Sequence, residues 1–82
     1  MAKTPPEQLM EKLQSIYRIK RSEYLVDFAE KLQIAASKGE NWLYYEIPEY
    51  MFAKAIMENY KDTDFVMSVS EGVLQARWEW KL

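Results

Sequence analysis

The 82 residues predict an α+β two-layer sandwich in the order α-β-α-β-β, a three-stranded mixed sheet with both helices on one face. Three observations carry that prediction. The closing stretch Val73-Leu74-Gln75-Ala76-Arg77-Trp78-Glu79-Trp80-Lys81-Leu82 alternates apolar and polar side chains without a break, the period of a strand with one buried side. Residues 5–38 and 48–60 instead carry apolar residues at helical spacing, each opening on a proline. The link from the first strand through the second helix to the second strand is long enough for a right-handed crossover, which makes the sheet mixed.

The first helix has a start and a stop. Thr4 can cap, Pro5 sits where its missing N–H costs nothing, and Glu7 stands where a capping box needs it. The apolar stripe runs through Leu9, Leu13, Ile16 and Tyr17, then through Tyr24, Leu25, Phe28, Leu32 and Ala35, and Lys38-Gly39 ends it with a left-handed cap. Between the two stretches, residues 18–23 thin the stripe. One unbroken helix is roughly 50 Å long at 1.5 Å per residue. A strand of eight residues spans only about 26 Å. Either the helix breaks near residues 20–22, or its first half projects. The chain then divides into a projecting helical half, residues 4–21, and a compact α+β core, residues 22–82, within one domain.

Trp42-Leu43-Tyr44-Tyr45-Glu46-Ile47 is short and rich in strand formers, the first strand. Pro48 opens the second helix, whose stripe is Met51, Phe52, Ala55, Ile56 and Tyr60, widened by Tyr50, Ala53 and Met57. Lys61-Asp62-Thr63-Asp64 is a polar turn. Residues 65–69 form the second strand, and Glu71-Gly72 turns into the third. Parity sets that hairpin. Phe65, Met67 and Val69 are odd-numbered and their partners on the third strand are even-numbered, so the loop has two or four residues. Two residues would set Val69 against Leu74, Met67 against Ala76 and Phe65 against Trp78. Glu71 is a poor residue for positive φ, which keeps a four-residue loop open.

Composition excludes much chemistry. Histidine and cysteine are both absent, and with them the common zinc sites, thiolate and imidazole catalysis, and disulfides. Ser15, Ser22, Ser37, Ser68 and Ser70 have no histidine to activate them and no lysine three residues on. Two glycines make no phosphate loop. Asp62-Thr63-Asp64 is a fragment of a metal loop without a third ligand, and reads better as a turn. We therefore expect no enzyme, no cofactor and no metal. Net charge is -2, no apolar run is long enough to span a bilayer, and Met1-Ala2-Lys3-Thr4-Pro5-Pro6 is not a signal peptide. The expected setting is a cytoplasm-like compartment.

Two surfaces are candidates for contact with a partner. The projecting stripe of Leu9, Leu13, Ile16 and Tyr17 needs a cover. On the first strand, Trp42 and Tyr44 face one way and Leu43, Tyr45 and Ile47 the other, so bulky side chains remain on the open side whichever set is buried. Trp78 and Trp80 belong to the closing alternation and are expected as core floor. Arg18, Lys20 and Arg21, beside Tyr17, are the densest basic cluster and the candidate nucleic-acid contacts. Helical spacing makes Arg18 and Arg21 neighbours and points Lys20 elsewhere.

The segment Ile34-Ala35-Ala36-Ser37-Lys38-Gly39, an aromatic strand, a proline-initiated helix ending in Tyr60, and a hairpin closing on Trp78 together resemble small uncharacterised proteins of tailed bacteriophages. The resemblance covers about residues 34–80 and carries no catalytic or binding residue. Asn59-Tyr60 stands where that pattern has a glycine and an aromatic. It implies a viral, non-enzymatic protein. The expected function is a protein–protein interaction module, a small virion or assembly accessory protein acting as a homo-oligomer. The alternatives are a phage-encoded inhibitor of a host enzyme or defence protein, and nucleic-acid binding through Arg18, Lys20 and Arg21.

Overall fold

The computed structural model describes residues 4–80. Its element order is α1 (Pro5–Ser37), β1 (Trp42–Glu46), α2 (Tyr50–Asn59), β2 (Val66–Ser70) and β3 (Val73–Arg77), an α+β fold in which two helices pack on a three-stranded sheet. The strand order is β1-β3-β2. Both pairings are antiparallel: β3 lies between β1 and β2 and runs opposite to each, so β1 and β2 point the same way without pairing, and the parallel pair expected of a mixed sheet is not formed. The α2 crossover therefore skips the central position, which β3 fills by folding back as a hairpin.

Helix α1 is one continuous helix of 33 residues. The Thr4 side chain accepts a hydrogen bond from the Glu7 N–H at 3.4 Å. At the other end the Gly39 N–H reaches the Ala36 carbonyl at 2.9 Å and the Glu40 N–H reaches Ala35 at 3.1 Å, the paired bonds of a Schellman cap, with Gly39 at φ 82°. Residues 18–23 thin the stripe without breaking the helix, because they contain no proline or glycine and three of them are long basic side chains that favour helix. Two of these cations have work on their own face. Lys20 Nζ lies 5.3 Å from the Tyr24 ring centre, and the Arg21 guanidinium lies 5.7 Å from that of Tyr17.

The hairpin has a two-residue loop. Val69 faces Leu74 and Met67 faces Ala76, the register that parity predicts for a loop of that length. Glu71 and Gly72 both take positive φ, 50° and 76°, the backbone of a type I′ turn. Glu71 holds this left-handed position although its Cβ disfavours it, since the alternative is loss of the register on both sides of β3.

Three boundaries depart from the sequence expectation. Helix α2 begins at Tyr50 rather than Pro48. The chain stays extended through Pro48 because Ile47, fully buried, continues the β1 ladder with an N–H bond to the Gly72 carbonyl at 2.8 Å. A residue before proline favours that conformation. Strand β2 begins one residue later than expected, at Val66. Strand β3 ends at Arg77, where β1 and β2 both run out: Trp42 and Val66 are its partners there. Past that point Asn41 bonds to the chain, accepting from the Trp78 N–H at 3.1 Å and donating its side-chain amide to the Trp78 carbonyl at 3.0 Å. Lys81 and Leu82 lie outside the described residues.

The core is Phe28, Leu32, Ala35, Tyr45, Ile47, Phe52, Ala53, Ile56, Leu74 and Ala76. Phe28 sits at its centre, edge-on to Tyr45 at 5.4 Å and to Tyr60 at 5.6 Å. A run of rings leads from Tyr60 through Phe65 and Trp78 to Trp80, each 5.3 to 6.0 Å from the next. Trp78 is partly buried against the core, but Trp80 is 49% exposed. That corrects the expectation that both form the floor. Alternation persists through residue 80, yet without a neighbouring strand it no longer fixes which side a residue faces. Met51 and Tyr50, expected on the α2 stripe, are exposed as well, because the buried arc of α2 is centred on Phe52, Ala53 and Ile56, with Met57 and Tyr60, and at helical spacing Met51 falls nearly opposite it and Tyr50 outside it.

Candidate interaction surface

The core uses only part of α1. Every residue from 4 to 16 is exposed, and Tyr17 is the first to pack. The molecule measures 58 × 26 × 21 Å, the long dimension being set by this helix. Twelve residues project, about 18 Å of helix. Along them Leu9, Met10, Leu13 and Ile16 are 58%, 55%, 49% and 62% exposed. Met10 completes the stripe: it stands three residues before Leu13 and seven before Tyr17, a spacing the sequence displays openly.

Tyr17 joins the overhang to the core. Its ring stacks on Phe52 at 5.3 Å, and the Tyr24 ring meets Phe52 at a tilt at 5.0 Å. Tyr24 also donates its hydroxyl to Glu49 at 2.8 Å, which pushes the phenol pKa upward and ties the start of α2 to α1. Tyr50 and Met51, between Glu49 and Phe52 in the chain, are exposed in the first turn of α2. Their exposure is what sequence reasoning missed, since the apolar residues of α2 run nearly all round the helix and leave open which arc is buried.

Trp42 and Tyr44 occupy a separate place, the open face of the sheet. Their rings lie 5.2 Å apart, in rows with Arg77 and Val66 and with Gln75 and Ser68. Tyr45, one residue on, points into the core and donates its hydroxyl to Asp27 at 2.7 Å. The structure therefore separates the candidate interface residues into two groups, Leu9, Leu13, Ile16 and Tyr17 on α1 and Trp42 and Tyr44 on the sheet.

Arg18, Lys20 and Arg21 do not converge. Lys20 and Arg21 lie over different rings, and Arg18 borders a shallow surface with Ile19, Glu23, Val26 and Glu30. Carboxylates interrupt any continuous basic stripe. Among the described residues, no group of three or more His, Cys, Asp or Glu side chains could hold a metal ion. No described helix is long and apolar enough to cross a membrane.

The ionisable contacts are structural. The Tyr45 hydroxyl is the main cause holding the Asp27 carboxyl below its ordinary 3.8, with the Lys31 ammonium at 3.5 Å assisting. Burial first, and then Asp27, push the Tyr45 phenol up. Because the Asp27 value is lowered by folding, this contact adds stability above about pH 4 and loses it as pH falls through the lowered value. Asp27 is nearly half exposed, so water screens the charge. Tyr45→Phe should cost about 1 kcal/mol at neutral pH. The difference from the unmodified chain should shrink at about pH 2.5, read from urea midpoints at both values. A loss that is independent of pH would show that Asp27 is not the group involved. Comparison with protein families, with curated proteins and with solved structures finds no match to this chain, so the reading of its surface rests on the chemistry above.

Proposed function

We propose that this protein is a non-enzymatic protein–protein interaction module that self-associates through the projecting half of α1. The observation that carries the reading is the overhang itself. These twelve helical residues are all exposed and so bury little against their own domain, and short helices with few tertiary contacts are marginal in water. Four large aliphatic side chains on that segment raise the cost of leaving it bare. A covering partner removes both costs. The likeness to small phage proteins supplies a setting, a virion or assembly accessory protein, in which a homo-oligomer is the working form.

Sedimentation of the full chain tests the reading. We expect a mass above the 9.8 kDa monomer at concentrations of about 10–100 µM. Leu9→Glu combined with Ile16→Glu should weaken association at least ~100-fold, since each copy then buries two unpaired carboxylates. The circular dichroism of the double variant should remain that of a folded monomer, because neither side chain touches the core. A chain that stays monomeric at ~100 µM, or a dimer indifferent to these substitutions, overturns the reading.

A further inference from the structure

We propose that the overhang pairs with the overhang of a second copy of this chain, antiparallel, about a two-fold axis near Leu13. The proposal rests on the self-association reading and adds to it the partner's orientation. Three features of α1 point to it.

The first is how charge and apolarity divide between the two flanks of the stripe. Met10, Leu13 and Tyr17 form the seam. Leu9 and Ile16 lie along one side of it, and Glu7, Gln14 and Arg21 along the other, each set repeating every seven residues. In an antiparallel pair each flank meets its own counterpart in reverse order. Glu7 then reaches the second copy's Arg21, Gln14 meets itself near the axis, and Leu9 meets Ile16. In a parallel pair the two unlike flanks meet instead, which sets Arg21 against Ile16 and Gln14 against Leu9. Only the antiparallel arrangement matches charge with charge and apolar with apolar.

The second is length. The overhang and the stretch up to Arg21 span 17 residues, about 24 Å, so a helix centred on Leu13 brings its first turn beside residues 17–21 of the other copy. That is where Phe52 holds the start of α2 against Tyr17. Tyr50 and Met51, in the first turn of α2, are exposed at that end of the helix.

The third is area. Leu9, Met10, Leu13, Ile16, Tyr50 and Met51 together expose on the order of 600 Å² per copy, so covering them twice removes about 1,200 Å², the lower edge for specific dimers. An isologous two-fold contact is also the commonest closed arrangement.

The absence of cysteine makes the test direct, since introduced thiols are the only ones. Leu9→Cys mixed with Ile16→Cys should form a disulfide between unlike chains under mild oxidation, with little within either variant alone. Glu7→Arg and Arg21→Glu should each lower dimer affinity about five- to tenfold, and mixing the two should restore it. A disulfide in Met10→Cys alone, with none in the mixed pair, indicates a parallel dimer and overturns this inference while leaving self-association in place. A chain that is monomeric throughout overturns both.

Discussion

Phe28→Ala is expected to remove about 3–5 kcal/mol of stability, the cost of deleting a fully buried ring whose cavity cannot collapse. A chain of this length has roughly 4–12 kcal/mol in total. The variant should therefore lose at least about a quarter of that stability, and nearly all of it at the low end of the range. The size of the effect follows from position. Phe28 is the residue where all the layers meet: it projects from α1, and its ring touches Tyr45 on β1 and Tyr60 at the end of α2. Few atoms around it can move in, because Ile47, Ile56 and Leu74 beside it in the core are themselves fully buried. Phe28→Leu keeps most of the volume and should cost under about 2 kcal/mol. Urea unfolding followed by circular dichroism measures both. A loss below about 1 kcal/mol for the alanine variant would show that the core is not organised around this ring.

The elements that hold the core together were legible because they obey one period each. Phe28, Leu32 and Ala35 follow helical spacing, and Leu74 and Ala76 follow strand spacing, and all five are buried. Parity converted the second pattern into a register, and the observed pairs Val69–Leu74 and Met67–Ala76 are the ones it specifies. Strand order was not legible. Nothing local states that β3 lies between β1 and β2, since that depends on which edges are free once α2 has crossed. Trp80 misled for a related reason. Its alternation is as regular as that of Leu74, but a strand pattern orients side chains only while a ladder holds the backbone, and the ladder stops at Arg77. Tyr50 and Met51 lie outside the buried arc because packing centres α2 on Phe52, Ala53 and Ile56, a choice among several apolar arcs that the stripe leaves open, and the helix itself opens at Tyr50 rather than at Pro48. Ile47 had a stronger claim on the backbone there, being both buried and bonded to Gly72.

A proline at Ser22 and a proline at Ser15 should have opposite consequences, although both residues are exposed and both lie inside α1. At Ser22 the substitution removes an interior hydrogen bond and drives the ring against the preceding turn, a cost of about 3 kcal/mol or more. The break falls between Tyr17 and Tyr24, the two rings that hold Phe52, so the core pays it in full. At Ser15 the same local cost can be avoided by letting the residues before it unravel. They are exposed throughout, and a ten-residue helix standing alone has a folding free energy near zero. Measured where the chain is monomeric, the unfolding midpoint of Ser15→Pro should shift by less than about 0.5 kcal/mol in equivalent stability. About a quarter of the helical circular dichroism should nevertheless disappear, and self-association should disappear with it. Equal loss of stability at the two positions would mean that the overhang is energetically part of the core. Its exposed apolar stripe would then have a use within the monomer, and the argument for a partner there would fall.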